Sequence, residues 1–125
     1  MEKTVVGLVE KITMNGSDID ETILARIDSG ATKSSVDLRL ASKLKLGPIV
    51  KSMIVKSAHG TKLRPVIEAE INICDRQITS EFTLADRSHM KYRVLIGQNI
   101  LKQGFLIDPS KESSTEEKKK TEGNL

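Results

Sequence analysis

The chain has 125 residues and a formal net charge of +3, which favours a single domain with a mildly basic balance. Its only cysteine, Cys74, excludes an intramolecular disulfide and a thiolate metal cluster built from one chain. No N-terminal apolar segment resembles a signal peptide, and no apolar run approaches membrane-spanning length. We therefore expect a cytoplasmic protein with no membrane partner.

The C-terminal end differs in composition from the rest. The last sixteen residues, 110–125, contain one apolar residue and eight charged residues. Such a segment buries too little surface to offset its ordering entropy, which predicts a disordered tail after a folded domain over residues 1–109. Because the chain has two Phe, one Tyr and no Trp, the core must be built from Ile, Val and Leu. A core of this size is often helped by oligomerisation.

Alternation of apolar and polar residues runs through most of the chain and predicts β-strands. In residues 67–73, for example, the isoleucines and Ala69 share one face, while Glu68, Glu70 and Asn72 share the other. In chain order, strands are expected over residues 4–12, 22–27, 50–57, 67–73, 78–84, 92–97 and 105–108.

Turn and helix signals separate these strands. Asp75-Arg76 predicts a hairpin between the fourth and fifth strands. Asp37 is expected to cap a helix over residues 38–46, which Gly47-Pro48 ends. Residues 98–102 are expected to form a short turn or helix. Many short strands with little helix predict an all-β fold, either a small β-barrel or a sandwich.

Several classes of function lack a motif. His59 and His89 are far apart in sequence, with no HExxH or CxxC, so zinc binding with an added acid stays only an alternative. No phosphate-binding glycine loop is present, and we expect no cofactor. The basic residues lack interleaved aromatics, which argues against nucleic acid as a partner. Without GxSxG, Ser29 is disfavoured as a nucleophile.

One stretch has a distinctive charge. Residues 38–67 contain no acid but seven basic residues. They are Arg39, Lys43, Lys45, Lys51, Lys56, Lys62 and Arg64. Such a stretch forms either a solvated basic face or a surface that attracts an acidic partner.

An acid at the end of a strand is the main candidate for chemistry. Asp28 follows the apolar residues 22–27 and precedes Ser29, Gly30 and Ala31. On its own this pattern is typical of a turn, because Asp bonds its own backbone and Gly adopts positive φ. Two downstream features change that interpretation. They are a glycine-bearing hairpin tip, SAHGT over residues 57–61, and the apolar run VLIG over residues 94–97.

The order of these elements resembles the retropepsin-like aspartic peptidases, over roughly residues 4–110. Within that superfamily, ARIDSGATKSS and DRSHMKYRVLIGQNILKQGFLIDPS are similar to the proteins called ATP-dependent zinc proteases. Those are often linked to ATP-grasp ligases that add glutamate or other amino acids to protein ends. Two positions depart from the pattern: Asp37 lies in the region where that narrower group often has His, and Gln98 replaces the usual Arg.

The resemblance implies a small closed β-barrel with one short helix that acts as a homodimer. Because the chain has one Asp-Ser/Thr-Gly, the catalytic pair would be Asp28 and the partner's Asp28. Ser29 would bond across the pair, Gly30 would allow close backbone approach, and Ala31 would line the floor. The substrate-binding flap would comprise residues 57–61, with substrate contacts from Ala58, His59, Gly60 and Thr61.

The substrate implied is a peptide or protein bound in extended form. The basic stretch includes the flap, so we expect the cleft to favour acidic peptides. Two alternatives stay open. One is a catalytically inactive dimerisation or peptide-binding module that keeps the fold, and the other is a zinc-dependent hydrolase using His59 or His89.

Overall fold

The computed structural model describes residues 2–58 and 60–112. Within this part of the chain, short strands dominate and two short helices interrupt them. In chain order the elements are β1 (Thr4–Val6), β2 (Val9–Asn15), β3 (Asp20–Ile27), β4 (Ser34–Asp37), α1 (Leu38–Lys43), β5 (Ile49–Ser57), β6 (Gly60–Ile73), β7 (Arg76–Ala85), β8 (Val94–Ile96), α2 (Gln98–Leu101) and β9 (Phe105–Ile107).

Six strands close into a barrel in the order β2-β3-β8-β4-β7-β6, and β6 pairs back with β2 to complete the ring. Strand β5 pairs with β6 outside that ring and forms a long hairpin with it. Strands β1 and β9 form a separate parallel pair. The prediction of a small closed β-barrel is confirmed.

The first predicted strand, residues 4–12, is two strands in the structure. The chain breaks at Gly7, whose N–H donates to Glu10 Oε2 at 2.7 Å. A Cβ at Gly7 would overlap the backbone carbonyl of Lys111, so the C-terminal segment crosses the chain there. Strand β4 was not predicted, because all four of its side chains are buried and its sequence does not alternate.

The hairpin between β6 and β7 is confirmed, although its turn lies one residue earlier than predicted. Ile73 pairs with Arg76, so Cys74 and Asp75 form the turn. Their φ values are 49° and 62°, as a two-residue hairpin turn with right-handed strand twist requires.

The two helices flank buried parts of the barrel. Asp37 caps α1 as predicted, because its side chain accepts a hydrogen bond from the Arg39 N–H. The helix ends at Lys43 rather than at residue 46, and Lys45 adopts a positive φ of 53° before Gly47. Residues 98–101, for which a turn or a short helix is expected, form the helix α2, so the described chain has two short helices rather than the one expected.

The core consists almost entirely of aliphatic side chains from the barrel strands and both helices, as the composition predicted. Lys111, beyond the predicted end of the folded domain, donates to Glu10 Oε2 at 2.9 Å and to the Val5 carbonyl at 2.9 Å. Most of the predicted tail, residues 113–125, lies outside the described residues. None of the described helices is long and apolar enough to cross a membrane.

Candidate active site

Asp28 lies where β3 leaves the barrel. The Ile27 N–H donates to the Leu8 carbonyl at 2.9 Å, and the Asp28 N–H donates to the Ile96 carbonyl at 2.9 Å. Strand β3 is therefore held from both sides up to the residue that carries the carboxylate. Asp28 itself is half-buried. The main chain at Asp28 is thus fixed by the two neighbouring segments of the barrel.

The residues after Asp28 form a tight turn. Asp28 Oδ1 accepts the Gly30 N–H at 2.9 Å, and the Asp28 carbonyl accepts the Ala31 N–H at 3.3 Å. Ser29 and Gly30 are exposed. The side chain therefore bonds its own turn, as the simpler interpretation of the sequence expects, yet Oδ2 makes no hydrogen bond with the described residues. The turn role and a catalytic role are compatible.

Residues of helix α2 donate hydrogen bonds to the backbone of this turn. Gln98 Nε2 donates to the Ser29 carbonyl at 2.7 Å, and the Gln98 N–H donates to the Ala31 carbonyl at 2.8 Å. The Asn99 N–H donates to the Thr32 carbonyl at 3.2 Å. Gln98, at the position where the resemblance led us to expect Arg, thus anchors the Asp28 turn within its own chain.

Asn99 connects α2 to two barrel strands. Its Oδ1 accepts both the N–H and the hydroxyl of Ser34, at 2.9 and 2.8 Å. Its Nδ2 donates to Ser80 Oγ at 3.0 Å and to the Glu81 carbonyl at 2.9 Å. The Ser34 hydroxyl accepts the Gly97 N–H at 2.9 Å. Each polar atom of the Asn99 side-chain amide has a hydrogen-bond partner. This network fixes α2 against β4 and β7.

Gly97 explains why the apolar run 94–97 ends in glycine. A Cβ there would lie 2.5 Å from the Lys33 carbonyl oxygen and 2.8 Å from that of Ala31. The chain following Asp28 packs directly on the backbone of Gly97. The glycine is therefore needed for close approach and not for an unusual φ.

A cavity of about 430 Å³ lies between this turn region and the hairpin of β5 and β6. The barrel contributes Ala31 and Ser35, and the hairpin contributes side chains from both of its strands. Besides Ala31 and Ser35, its wall includes Met53, Ile54, Val55 and Lys56 of β5, Arg64 of β6, and Arg87. The structure thus brings Ala31 and the middle of the hairpin to one cavity.

Arg87 is a buried cation in the wall of this cavity. It is 8% exposed, and its guanidinium donates to the Tyr92 carbonyl at 3.0 Å and to Ser35 Oγ at 3.4 Å. It forms no ion pair with a carboxylate of the described residues, although its backbone N–H donates to Asp37. Burial lowers the pKa of Arg87, and the positive charges of Arg26 and Arg64 lower this pKa further, while the negative charges of Asp37 and Asp28 oppose the shift. Nothing in the sequence distinguishes Arg87 beyond its place in Asp86-Arg87-Ser88.

The hairpin tip lies apart from that cavity. Ser57 pairs with Gly60, whose φ of 112° suits glycine, and Ala58 and Thr61 are exposed. None of Ala58, Gly60 and Thr61 lines the cavity that contains Ala31. His59 lies outside the described residues. The substrate contacts expected at the tip stay predictions.

Zinc binding, the alternative function, would require several ligand side chains close together. The described ranges hold no group of three or more His, Cys, Asp or Glu side chains that could hold a metal ion. His89 is exposed, and it lies far from Asp28 in the sequence. The described residues therefore supply no set of ligands for a catalytic zinc ion.

The barrel, the flap-like hairpin and the Asp-Ser-Gly turn together define the fold of the retropepsin-like proteases. A Legionella pneumophila protein of unknown function is 23% identical, with a TM-score of 0.63 over 90% of this chain and 98% of that one. The simian foamy virus protease is 20% identical, with a TM-score of 0.55 over 74% and 89%. The EIAV protease, solved with the inhibitor HBY-793, is 19% identical, with a TM-score of 0.61 over 75% and 84%.

The chain belongs to the RimB-like family, described as the retropepsin-like aspartic endopeptidase RimB, whose model matches residues 40–118. No curated protein matches the chain. The resemblance to retropepsin-like peptidases is confirmed, while the narrower one to ATP-dependent zinc proteases stays a prediction. The matched segment begins after Ala31, so it covers the flap hairpin and α2 but not the Asp28 turn.

Proposed function

We propose that the protein is an aspartic endopeptidase in which Asp28 and the partner's Asp28 activate one water molecule. The observation that carries the proposal is the position of Asp28. It ends a barrel strand, in an exposed turn that α2 holds with hydrogen bonds from Gln98 and Asn99. The family of the chain, retropepsin-like aspartic endopeptidases, supports the same chemistry.

The chemistry requires a second carboxylate, and the sequence has no second Asp-Ser/Thr-Gly. One carboxylate must be ionised to act as the general base, and the other must be protonated to polarise the scissile carbonyl. Two carboxylates about 3 Å apart share one proton readily, because both cannot ionise at low cost. A two-fold axis beside Asp28 supplies this arrangement from two identical chains.

Exposed apolar residues near Asp28 support dimerisation. Val5 and Leu106 pair with each other in the β1–β9 sheet, and both are exposed. Leu8 is also exposed, and its carbonyl accepts the Ile27 N–H beside the Asp28 turn. A partner that covers these residues would bring its own Asp28 close. Ser29 would then bond across the pair, and Gly30 would permit the approach.

The substrate would lie as an added β-strand between Ala31 and the flap hairpin. The flap residues Ala58, His59, Gly60 and Thr61 would close over it and exclude water. Main-chain hydrogen bonds would supply affinity, and the cavity beside Ala31 would supply selectivity for one substrate side chain.

That cavity supports a preference for acidic peptides. Arg87 is a buried cation that forms no direct ion pair with a described carboxylate, although the charges of Asp37 and Asp28 act on it, and Arg64 lines the same cavity. A buried cation that lacks a direct ion pair is stabilised by a carboxylate that accepts two hydrogen bonds from its guanidinium. A Glu or Asp side chain of the substrate would supply that carboxylate.

A second candidate function, a catalytically inactive peptide-binding or dimerisation module, is favoured by one observation. The segment that shows the family lies after the Asp28 turn, so membership alone does not require the catalytic acid. Under this candidate Asp28 serves only its turn, through the hydrogen bond to Gly30.

Cleavage of Glu-containing peptides by the wild type and by Asp28→Asn separates the two candidates. The matched control is Asp108→Asn, because Asp108 accepts the Ser110 N–H at 2.9 Å in a similar exposed turn. We expect cleavage with an acidic optimum that a pepstatin-type inhibitor blocks, a chelator leaves unchanged and only Asp28→Asn abolishes. Undiminished cleavage by Asp28→Asn would refute the proposal, and loss on chelation would favour a metal hydrolase.

A further inference from the structure

Strand β6 belongs to two different parts of the structure along its length. Residues 66–73 pair with β7 in the barrel, whereas residues 60–65 pair with β5 alone among the described residues. The pairing with β7 ends next to Pro65, which has no backbone N–H to donate to another strand. The flap hairpin therefore leaves the barrel at Val66, which pairs with Lys51 of β5.

Glu81 of β7 contacts two lysines near this point. Its Oε1 lies 3.1 Å from the Lys33 Nζ, and its Oε2 lies 3.1 Å from the Lys51 Nζ. Lys33 lines the cavity of the cleft, and Lys51 lies on β5. The register of β5 shifts between Ile49 and Lys51, and such β-bulges redirect the side chains next to them. One carboxylate therefore connects a wall of the cleft to the base of the flap hairpin.

Strand β5 has few means of attachment to the barrel. It ends the strand order, and within the described part of the chain it pairs with β6 alone. A two-stranded hairpin by itself is only marginally stable in water. The ion pair between Lys51 and Glu81 reaches across β6 and joins β5 to β7 through side chains. This contact therefore acts as a tether at the base of the flap hairpin.

The two lysines also offset a repulsion between carboxylates. Glu68 of β6 lies directly opposite Glu81 in the strand register, and like charges in that position repel each other. Hydrogen bonds from Lys33 and Lys51 lower the pKa of Glu81, and burial only partly opposes this shift. The Glu81 carboxylate therefore stays ionised in more acidic solution than that of an unpaired Glu.

The backbone of Glu81 is fixed to helix α2. The Glu81 carbonyl accepts a hydrogen bond from Asn99 Nδ2 at 2.9 Å. Gln98, the residue before Asn99, donates to the Ser29 carbonyl in the Asp28 turn. The same helix thus holds the Asp28 turn and the position on β7 from which Glu81 reaches the hairpin.

We propose that Glu81 is a positioning residue that sets the spacing between the flap hairpin and the Asp28 turn. Its side chain holds the base of the hairpin through Lys51, and Lys33 orients the carboxylate from the other side. Glu81 acts through these lysines and does not touch the substrate. The role in cleavage rests on the proposed function, whereas the tether between β5 and β7 does not.

Hydrogen exchange of the β5 backbone measures the tether without catalysis. Glu81→Gln and Lys51→Met each remove the ion pair and keep the side-chain size. Exchange of residues 49–57 should become about two- to fivefold faster in each, the range expected of one exposed ion pair. The double variant should match either single variant, because both substitutions remove the same contact. Lys51→Arg and the control Glu68→Gln should not accelerate exchange, and residues 67–73 should be unaffected throughout.

Cleavage of a neutral, Gln-containing peptide measures the positioning role. A hairpin held less firmly should raise KM about twofold or more and leave kcat nearly unchanged, because the Asp28 turn keeps its own anchors. A neutral peptide is used so that attraction between Lys51 and an acidic substrate does not contribute. Added salt should raise the wild-type KM toward that of Glu81→Gln and change the KM of the variant little.

Three results would overturn the proposal. The first is unchanged β5 exchange in both Glu81→Gln and Lys51→Met, which would mean that the ion pair does not hold the hairpin. The second is equally accelerated exchange in residues 67–73, which would make Glu81 a general support of the barrel. The third is faster β5 exchange with an unchanged KM, which would leave a tether without a positioning role. A wild type that cleaves no peptide would refute the proposed function, and β5 exchange would still decide whether Glu81 holds the hairpin.

Discussion

The side-chain amide of Gln98 donates a hydrogen bond of 2.7 Å to the carbonyl oxygen of Ser29. The helix that follows β8 thereby fixes the main chain one residue after Asp28. An Arg was expected at this position, and Gln supplies a neutral donor of shorter reach instead. The anchor therefore adds no positive charge beside the proposed catalytic pair.

Replacing Gln98 should affect activity more than stability. Gln98→Ala removes one neutral hydrogen bond, which costs about 1 kcal/mol of unfolding free energy. The backbone bond from Gln98 to Ala31 remains, so the fold should survive while kcat falls because the Asp28 turn loosens. Urea unfolding and peptide cleavage measure the two effects. Gln98→Glu, which replaces the donor with an acceptor, should be worse than Gln98→Ala in both, and an equal or milder effect would contradict the anchoring role.

Asn99 should matter chiefly for stability. Asn99→Ala leaves the Ser34 N–H and the Glu81 carbonyl without their partners, and each orphaned buried group costs about 1–3 kcal/mol. We expect a loss of several kcal/mol in urea unfolding. Asn72→Ala, at an exposed residue on β6, is the matched control and should change stability little. Similar unfolding midpoints for the two variants would show that Asn99 is not the link between α2 and the barrel.

Arg87 should determine the preference for acidic substrates. Arg87→Met retains the size of the side chain but removes the charge, so it should lower kcat/KM for Glu-containing peptides and change that for Gln-containing peptides little. Added salt should weaken the wild-type preference only partly, because a buried pair is screened less than an exposed one. Competition between the Glu-containing and Gln-containing peptides measures the ratio of their kcat/KM values directly. A wild type that cleaves both equally at every salt concentration would remove the acidic preference.

Cys74 should react slowly with alkylating agents. Burial raises the pKa of the Cys74 thiol, and the negative charge of Glu10 raises it further, while Lys111 opposes both. At neutral pH the thiolate is therefore rarer than in a free peptide, and iodoacetamide should react more slowly and with an alkaline-shifted profile. Glu10→Gln should shift the profile toward lower pH, whereas Glu68→Gln should not. A wild-type profile like that of an unfolded peptide would contradict the contact.

The raised pKa also gives the sign of a stability effect. The folded state holds the Cys74 proton more tightly than the unfolded state, whose ordinary pKa is 9.0. The resulting contribution to the free energy of unfolding is fully present at pH values below 9.0, the pKa of the unfolded state. It is lost as the pH rises through the higher pKa of the folded state. Alkaline solution should therefore weaken the turn between β6 and β7, and Cys74→Ser should reduce this dependence.

The sequence predicted those strands in which apolar and polar residues alternate. Residues 67–73 alternate strictly, and the structure buries Ile67, Ala69, Ile71 and Ile73 while Glu68 stays exposed. Strand β4 was missed because it is buried on both faces, so no alternation marks it. The split of residues 4–12 was missed because it depends on Lys111, a contact between residues far apart in sequence.

The candidate site was predictable to a similar extent. Asp28, Gly97 and Gln98 belong to local motifs, and the structure brings them together through backbone hydrogen bonds. Arg87 was not predicted, since a buried Arg without a carboxylate partner has no signature in a single sequence. The roles of the flap tip, from Ala58 to Thr61, depend on a bound substrate and stay predictions.

The central claim, that two copies of Asp28 form one active site, is tested most directly by subunit mixing. Wild-type protein is mixed with Asp28→Asn at constant total concentration, the chains are allowed to exchange, and cleavage of a Glu-containing peptide is measured. If only dimers with two Asp28 carboxylates are active, an equal mixture should retain about one quarter of the wild-type rate. A rate of about one half, linear in the wild-type fraction, would mean that each chain acts alone and would contradict the account.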